Sequence, residues 1–236
     1  MRSHFNRSAL VRQLAGWQAV QASVPRQDVA QRLGDWLNVA DAITLHSANR
    51  SIPAITSVSS INTILTAKSA SDAALGVAGK SADLNAETAQ VRATLTKSIT
   101  ARPLGQPPAA TTDFPIYHQR YLDQQRRMEL SIEALRAHVR QRLTQTSPRL
   151  AQLAALDAVL AHMLGGREQK LLASVPTFLK ARFKDLHKSQ ASSPDSAWLE
   201  TFEQDFQQAL LAELDLRLQP IAGMIEALGQ ETHTHA

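Results

Sequence analysis

An all-α fold, a bundle of long amphipathic helices, is predicted by three observations. Apolar residues recur at helical spacing, as in Met128, Ile132, Leu135, Val139 and Leu143, which are separated by 4, 3, 4 and 4 residues. No segment has the strict alternation or the density of β-branched residues that a strand would show. Of the 236 residues 44% are hydrophobic and none is cysteine, so a packed core must form without disulfides or thiolate metal sites.

From the N-terminus, Ser8 stands before Leu10, Val11, Leu14 and Trp17, the pattern of a capped short helix. A turn at Ser23-Val24-Pro25 leads to Val29, Leu33, Trp36 and Leu37 on a second helical face, continued by Ile43 and Leu45. Residues 1–46 therefore read as a helical hairpin. Residues 47–115 read as a variable, partly disordered region. Its first part, to about Ser71, is rich in Ser, Thr, Ala and Asn and places Ile52, Ile55, Val58, Ile61 and Ile64 at every third position, a spacing that suits neither helix nor strand. An Ala-rich helix is expected from near Asp83 to Ile99, then a Pro-rich linker from Arg102 to Pro115.

Residues 116–230 form the expected main bundle. A long helix beginning near Pro115 carries the stripe from Met128 to Leu143, which could also serve as a coiled-coil seam for another chain. Ser147-Pro148 reads as an N-cap with proline at the first helical position after it. Leu150, Leu153, Leu160, Met163 and Leu164 line the next helix, with Gly165-Gly166 expected to end or kink it and Pro176 to bend the apolar segment beyond. Asp195 or Ser196 can cap the last helix, where Trp198, Phe202, Phe206 and Leu210 recur every fourth residue, and Pro220 is expected to kink it.

The net charge of +4 is unevenly distributed: residues 117–149 and 167–188 each carry +4, whereas 189–236 carry −7. Two readings fit this layout. The acidic C-terminal helix lies beside the basic ones within the fold or a partner, or the basic segments meet nucleic acid or another anionic surface. Tyr117 and Tyr121 are the only aromatics in 117–149, which gives a base-stacking platform little material. The N-terminus lacks the apolar core of a secretory signal and no stretch has the roughly 20 apolar residues of a membrane helix, which points to the cytoplasm.

Catalytic patterns are missing. The histidines at 4, 46, 118, 138, 162, 187, 233 and 235 form no HExxH or comparable ligand set, Gly165-Gly166-Arg167 lacks the Lys-Ser or Lys-Thr of a phosphate loop, and no G-x-S-x-G elbow occurs. No enzyme activity, cofactor or metal is expected. Two charged clusters within apolar helices remain as candidates: Asp157 and, downstream, Glu213, Asp215 and Arg217. Buried charges need partners, and Arg167 or Arg217 could supply them, with Glu168 adjacent. Structural ion pairs, an exposed face, or a binding or catalytic pocket would each fit. Arg126, Arg127, Arg136 and Arg140 are the candidate partner-binding residues of the basic helix, and the acidic 198–218 helix is the other candidate partner-binding element.

Four phrases, QRLGDWLNVADAITL (31–45), YHQRYLDQQRRME (117–129), LDAVLAHMLGGREQKLLASVPTFL (156–179) and LLAELDLRLQP (210–220), together resemble a proteobacterial family, domain of unknown function 3348. The likeness departs in 47–112. The family carries no established activity or catalytic residue to transfer. The resemblance implies a bacterial cytoplasmic accessory to an envelope-associated assembly, with a membrane-anchored coiled-coil protein as partner. The expectation is thus a non-enzymatic helical adaptor, able to form homo-oligomers, with a nucleic-acid-binding regulator as the alternative.

Overall fold

A computed structural model describes residues 9–17, 41–47, 70–101, 113–189 and 197–234. Helices with defined ends are α1 (Ala9–Trp17), α2 (Ala70–Thr100), α3 (Phe114–Thr144), α4 (Pro148–Leu172), α5 (Val175–Ser189) and α6 (Ala197–Thr234). Residues 41–47 are also helical, and no strand occurs among the described residues. The all-α bundle is what the spacing predicts. The cap at Ser8, the helix at 29–37, residues 48–69, residues 102–112 of the linker and the caps at 195 and 196 lie outside the described residues, while the linker's expected last residues, Phe114 and Pro115, open α3, where proline's missing N–H costs nothing.

Several ends differ from expectation for identifiable reasons. Helix α2 begins at Ala70 rather than near Asp83. Ala70, Ala73, Ala74, Ala78 and Ala82 carry the lowest cost of helix formation and outweigh Gly76 and Gly79. Helix α4 starts where Ser147 predicts: its Oγ accepts the Leu150 amide at 3.2 Å. The helix then runs through Gly165 and Gly166 instead of stopping there. Glycine costs about 1 kcal/mol per position but keeps its N–H, so the hydrogen-bond ladder survives. The helix ends before the turn at 173–174, where the Ser174 amide bonds the Leu171 carbonyl at 3.1 Å. Pro176 falls in the first turn of α5, where its missing N–H costs nothing. Pro220 lies inside α6, which continues past it to Thr234.

The chain packs into two compact units, each assembled from three segments: 1–22, 89–133 and 169–219 in one, and 23–88, 134–168 and 220–236 in the other. In the first, α1 packs on α5. Its core is aromatic. Tyr117 meets Phe202 edge-on at 4.8 Å and Phe206 at 5.4 Å, and Phe183 meets Phe202 at 4.9 Å and Trp198 at 5.1 Å. Such pairs add about 0.5–1.5 kcal/mol each beyond the area they bury. Leu95, Ile99, Met128, Leu179, Leu210 and Leu214 complete this core.

The second unit is aliphatic, with Leu84, Leu135, Val139, Leu143, Leu150, Ile221, Met224, Ile225 and Leu228 buried. The stripe from Met128 to Leu143 is buried along its whole length, so within the chain it is core.

Candidate functional site

The polar residues of the first unit converge on Glu213, whose side chain is 0% exposed. The Tyr121 hydroxyl donates to its Oε2 at 2.6 Å, Gln125 Nε2 donates to Oε1 at 3.1 Å, and Arg217 Nε, one turn on, donates to Oε1 at 2.9 Å. Gln125 Nε2 also reaches the Tyr121 hydroxyl, at 2.9 Å. Burial first, then the charge and hydrogen bond of Glu213, push the Tyr121 phenol far above its ordinary pKa. It therefore stays protonated and serves the carboxylate as a fixed donor.

Arg120 is a second convergence point. Its Nη1 lies 2.7 and 2.9 Å from the two carboxylate oxygens of Glu203, and its Nη2 donates to the carbonyls of Ile99 at 3.1 Å and Ala101 at 3.3 Å. Its guanidinium also lies over the Phe206 ring, 5.1 Å from the centroid. Arg182 Nε donates to Asp205 Oδ2 at 2.8 Å, and Gln13 Nε2 from α1 bonds the Asp205 carbonyl at 3.1 Å. Arg92 pairs with Asp215 at 2.7 Å on the surface. Of the acidic residues of α6, Glu203 thus meets Arg120 of the 117–149 segment and Asp205 meets Arg182 of the 167–188 segment, whereas Glu213 pairs with Arg217 of its own helix and Asp215 with Arg92 of α2.

In the second unit Asp157 is clamped by Arg136 Nε at 2.8 Å and Arg140 Nε at 2.7 Å. Burial would raise the Asp157 pKa, but the hydrogen bonds and charges of the two arginines outweigh it and hold the carboxyl below its usual range. Its partners are therefore Arg136 and Arg140 from α3, not Arg167 or Arg217. His138 Nε2 stands 3.3 Å from Glu87 Oε2, both half exposed. Ser147 Oγ donates to Glu231 Oε1 at 2.9 Å.

The candidate residues are accordingly scattered among different settings. Glu213 and Arg217 share the buried network, Asp215 lies on the surface with Arg92, and Asp157 joins Arg136 and Arg140. Arg126 and Arg127 are exposed on α3, and Arg127 Nη1 bonds Ser98 Oγ at 3.0 Å. Arg167 is half-buried and Glu168 exposed on α4. Tyr121, Gln125, Arg120 and Glu203 are not among the candidates that the sequence singles out. A signal exists nonetheless: Tyr117, Tyr121, Gln124 and Met128 extend the α3 stripe backwards at spacings of 4, 3 and 4, placing a polar Gln124 in a core seam. Gln124 is indeed buried, its Nε2 donating to the Ser98 carbonyl at 3.2 Å.

Among the described residues no three His, Asp or Glu side chains are grouped to hold a metal ion, and no helix is long and apolar enough to cross a membrane. The outward face of α3 differs from its inner one: Leu122 is 42% and Leu130 66% exposed, with exposed Arg126 between them. A family model described as protein of unknown function (DUF3348) matches residues 1–230. No curated protein and no solved structure matches the chain.

Proposed function

The chain belongs to the DUF3348 family, and from the distribution of its surface groups we propose that it is a non-enzymatic helical adaptor of the bacterial cytoplasm that binds a helix of a partner protein. The observation that carries this reading is the face of α3 formed by Leu122, Arg126 and Leu130. Steps of four residues keep all three within a narrow arc and about 12 Å of helix. Two exposed leucines flanking a cation match an amphipathic helix that offers an apolar stripe and a carboxylate. The arginine–carboxylate pairs of the interior, by contrast, are closed on themselves and act as structure. The partner proposed, as the family resemblance implies, is a membrane-anchored coiled-coil protein of an envelope-associated assembly.

The test compares capture from native cells by the tagged wild-type chain and by a Leu122→Glu/Leu130→Glu variant, after nuclease treatment. A coiled-coil envelope protein retained by the wild type and lost by the variant is the expected result. Equal capture of it by both would remove α3 as the binding surface, and recovery that disappears with nuclease would favour nucleic acid instead.

A further inference from the structure

Once the internal ion pairs are set aside, exposed cations remain on several helices, among them Lys97 on α2 and Arg126 and Arg127 on α3, and one short helix holds three of them in a regular row. Helix α5 carries Lys180, Lys184 and Lys188, all exposed, and none of them pairs with a carboxylate among the described residues. Four-residue steps line them up on one side of the helix about 6 Å apart. The opposite side is fixed in the core by Val175, Leu179 and Phe183. The Arg182–Asp205 ion pair at 2.8 Å further sets the rotation of the helix, so the lysines cannot turn inward.

The helices packed on α5 differ in sign: α6 brings the exposed Glu200 and the Asp205 that pairs with Arg182, whereas α1 adds positive charge. Helix α1, packed on α5, contains no acidic residue and presents an exposed Arg12. Asp185 is the only carboxylate on α5 itself. At the end of the row, exposed His187 meets the Trp198 ring edge-on at 5.1 Å.

We propose that the Lys180–Lys184–Lys188 row docks the phosphate backbone of double-stranded nucleic acid. The row lacks an exposed large apolar side chain to act as an anchor, and lysine is depleted from protein–protein interfaces, whose energy comes from buried aromatic, apolar and arginine groups. Regularly spaced, flexible ammonium groups instead suit a ligand that is itself a row of anions, where binding comes from counterion release and needs no base contact. The site is separate from the α3 face and adds to the adaptor reading a second ligand of different chemistry.

The measurement is fluorescence anisotropy of a labelled DNA duplex with the full chain over a salt series. Three phosphate contacts give a slope of log affinity against log salt of about −2.7. Each single Lys→Gln substitution takes about 0.9 off that slope, and the triple variant weakens binding at low salt by more than about tenfold. Because the three side chains are exposed, the variants keep the wild-type thermal melt, and Lys97→Gln on α2 leaves the slope unchanged. A wild-type slope shallower than about −1, or a triple variant that binds like the wild type, overturns the proposal. So does competition by poly-glutamate as effective as that by unlabelled duplex, which would assign the row to an acidic protein.

Discussion

Glu213 shows what one buried carboxylate demands of its neighbours. With no exposure to water it depends on Tyr121, Gln125 and Arg217 for its hydrogen bonds. Glu213→Ala leaves Arg217 facing the core alone, and a loss of about 3–5 kcal/mol in urea unfolding is expected. Tyr121→Phe removes one charge-assisted bond and is expected to cost about 1.5–3 kcal/mol by the same measurement. The raised phenol pKa has a sign: the stabilisation is full below the ordinary tyrosine value of about 10 and is lost as pH rises above it. Of the chain's two tyrosines, Tyr121 should therefore ionise only as the fold opens, seen as tyrosinate absorbance rising together with loss of helical circular dichroism. Asp157 acts at the other end of the scale. Its lowered pKa contributes stability that is full above about pH 4 and vanishes as pH falls through the folded value. The stability difference between wild type and Asp157→Asn should close below that pH, and a constant difference would mean that the clamp does not depend on charge.

At the scale of the helix, legibility depends on whether the deciding force is local. The buried run from Met128 to Leu143 and the Ser147 cap can be read directly, because spacing and a short side-chain bond decide them. The partners of Asp157 cannot, because Arg136 and Arg140 reach it from another helix. Similarly, Leu171 and Leu172 look equivalent in sequence, yet Leu172 is buried and Leu171 is 59% exposed. The glycine pair in α4 looks like a stop only while propensity is weighed without the ladder that persists through it. A Cβ at Gly165 or Gly166 would meet no atom within 4 Å. Gly165→Ala and Gly166→Ala are therefore each expected to stabilise by about 1 kcal/mol, measured as a shift in the urea midpoint.

For the whole molecule, the order of residues along the chain is a poor guide to which segments pack together. The sequence divides by composition into 1–46, 47–115 and 116–230, whereas each compact unit draws on three separated segments. A chain ending at residue 196 would lose Phe202 and Phe206 from around Tyr117, and Glu203 and Glu213 from Arg120 and Tyr121. Such a truncation is expected to lose cooperative thermal unfolding, and a sharp retained transition would show that α6 is dispensable to the first unit.

Arg120 binds these scales together. Its side chain holds the carbonyls of Ile99 and Ala101 at the end of α2 while gripping Glu203 and covering Phe206 on α6. A helix end ordinarily frays by itself, at little cost. Here the last turn of α2 can loosen only by letting go of a guanidinium that α6 also holds, so fraying and loss of the aromatic core become steps of one event. Amide protons at that helix end should exchange with solvent as slowly as those in the middle of a helix.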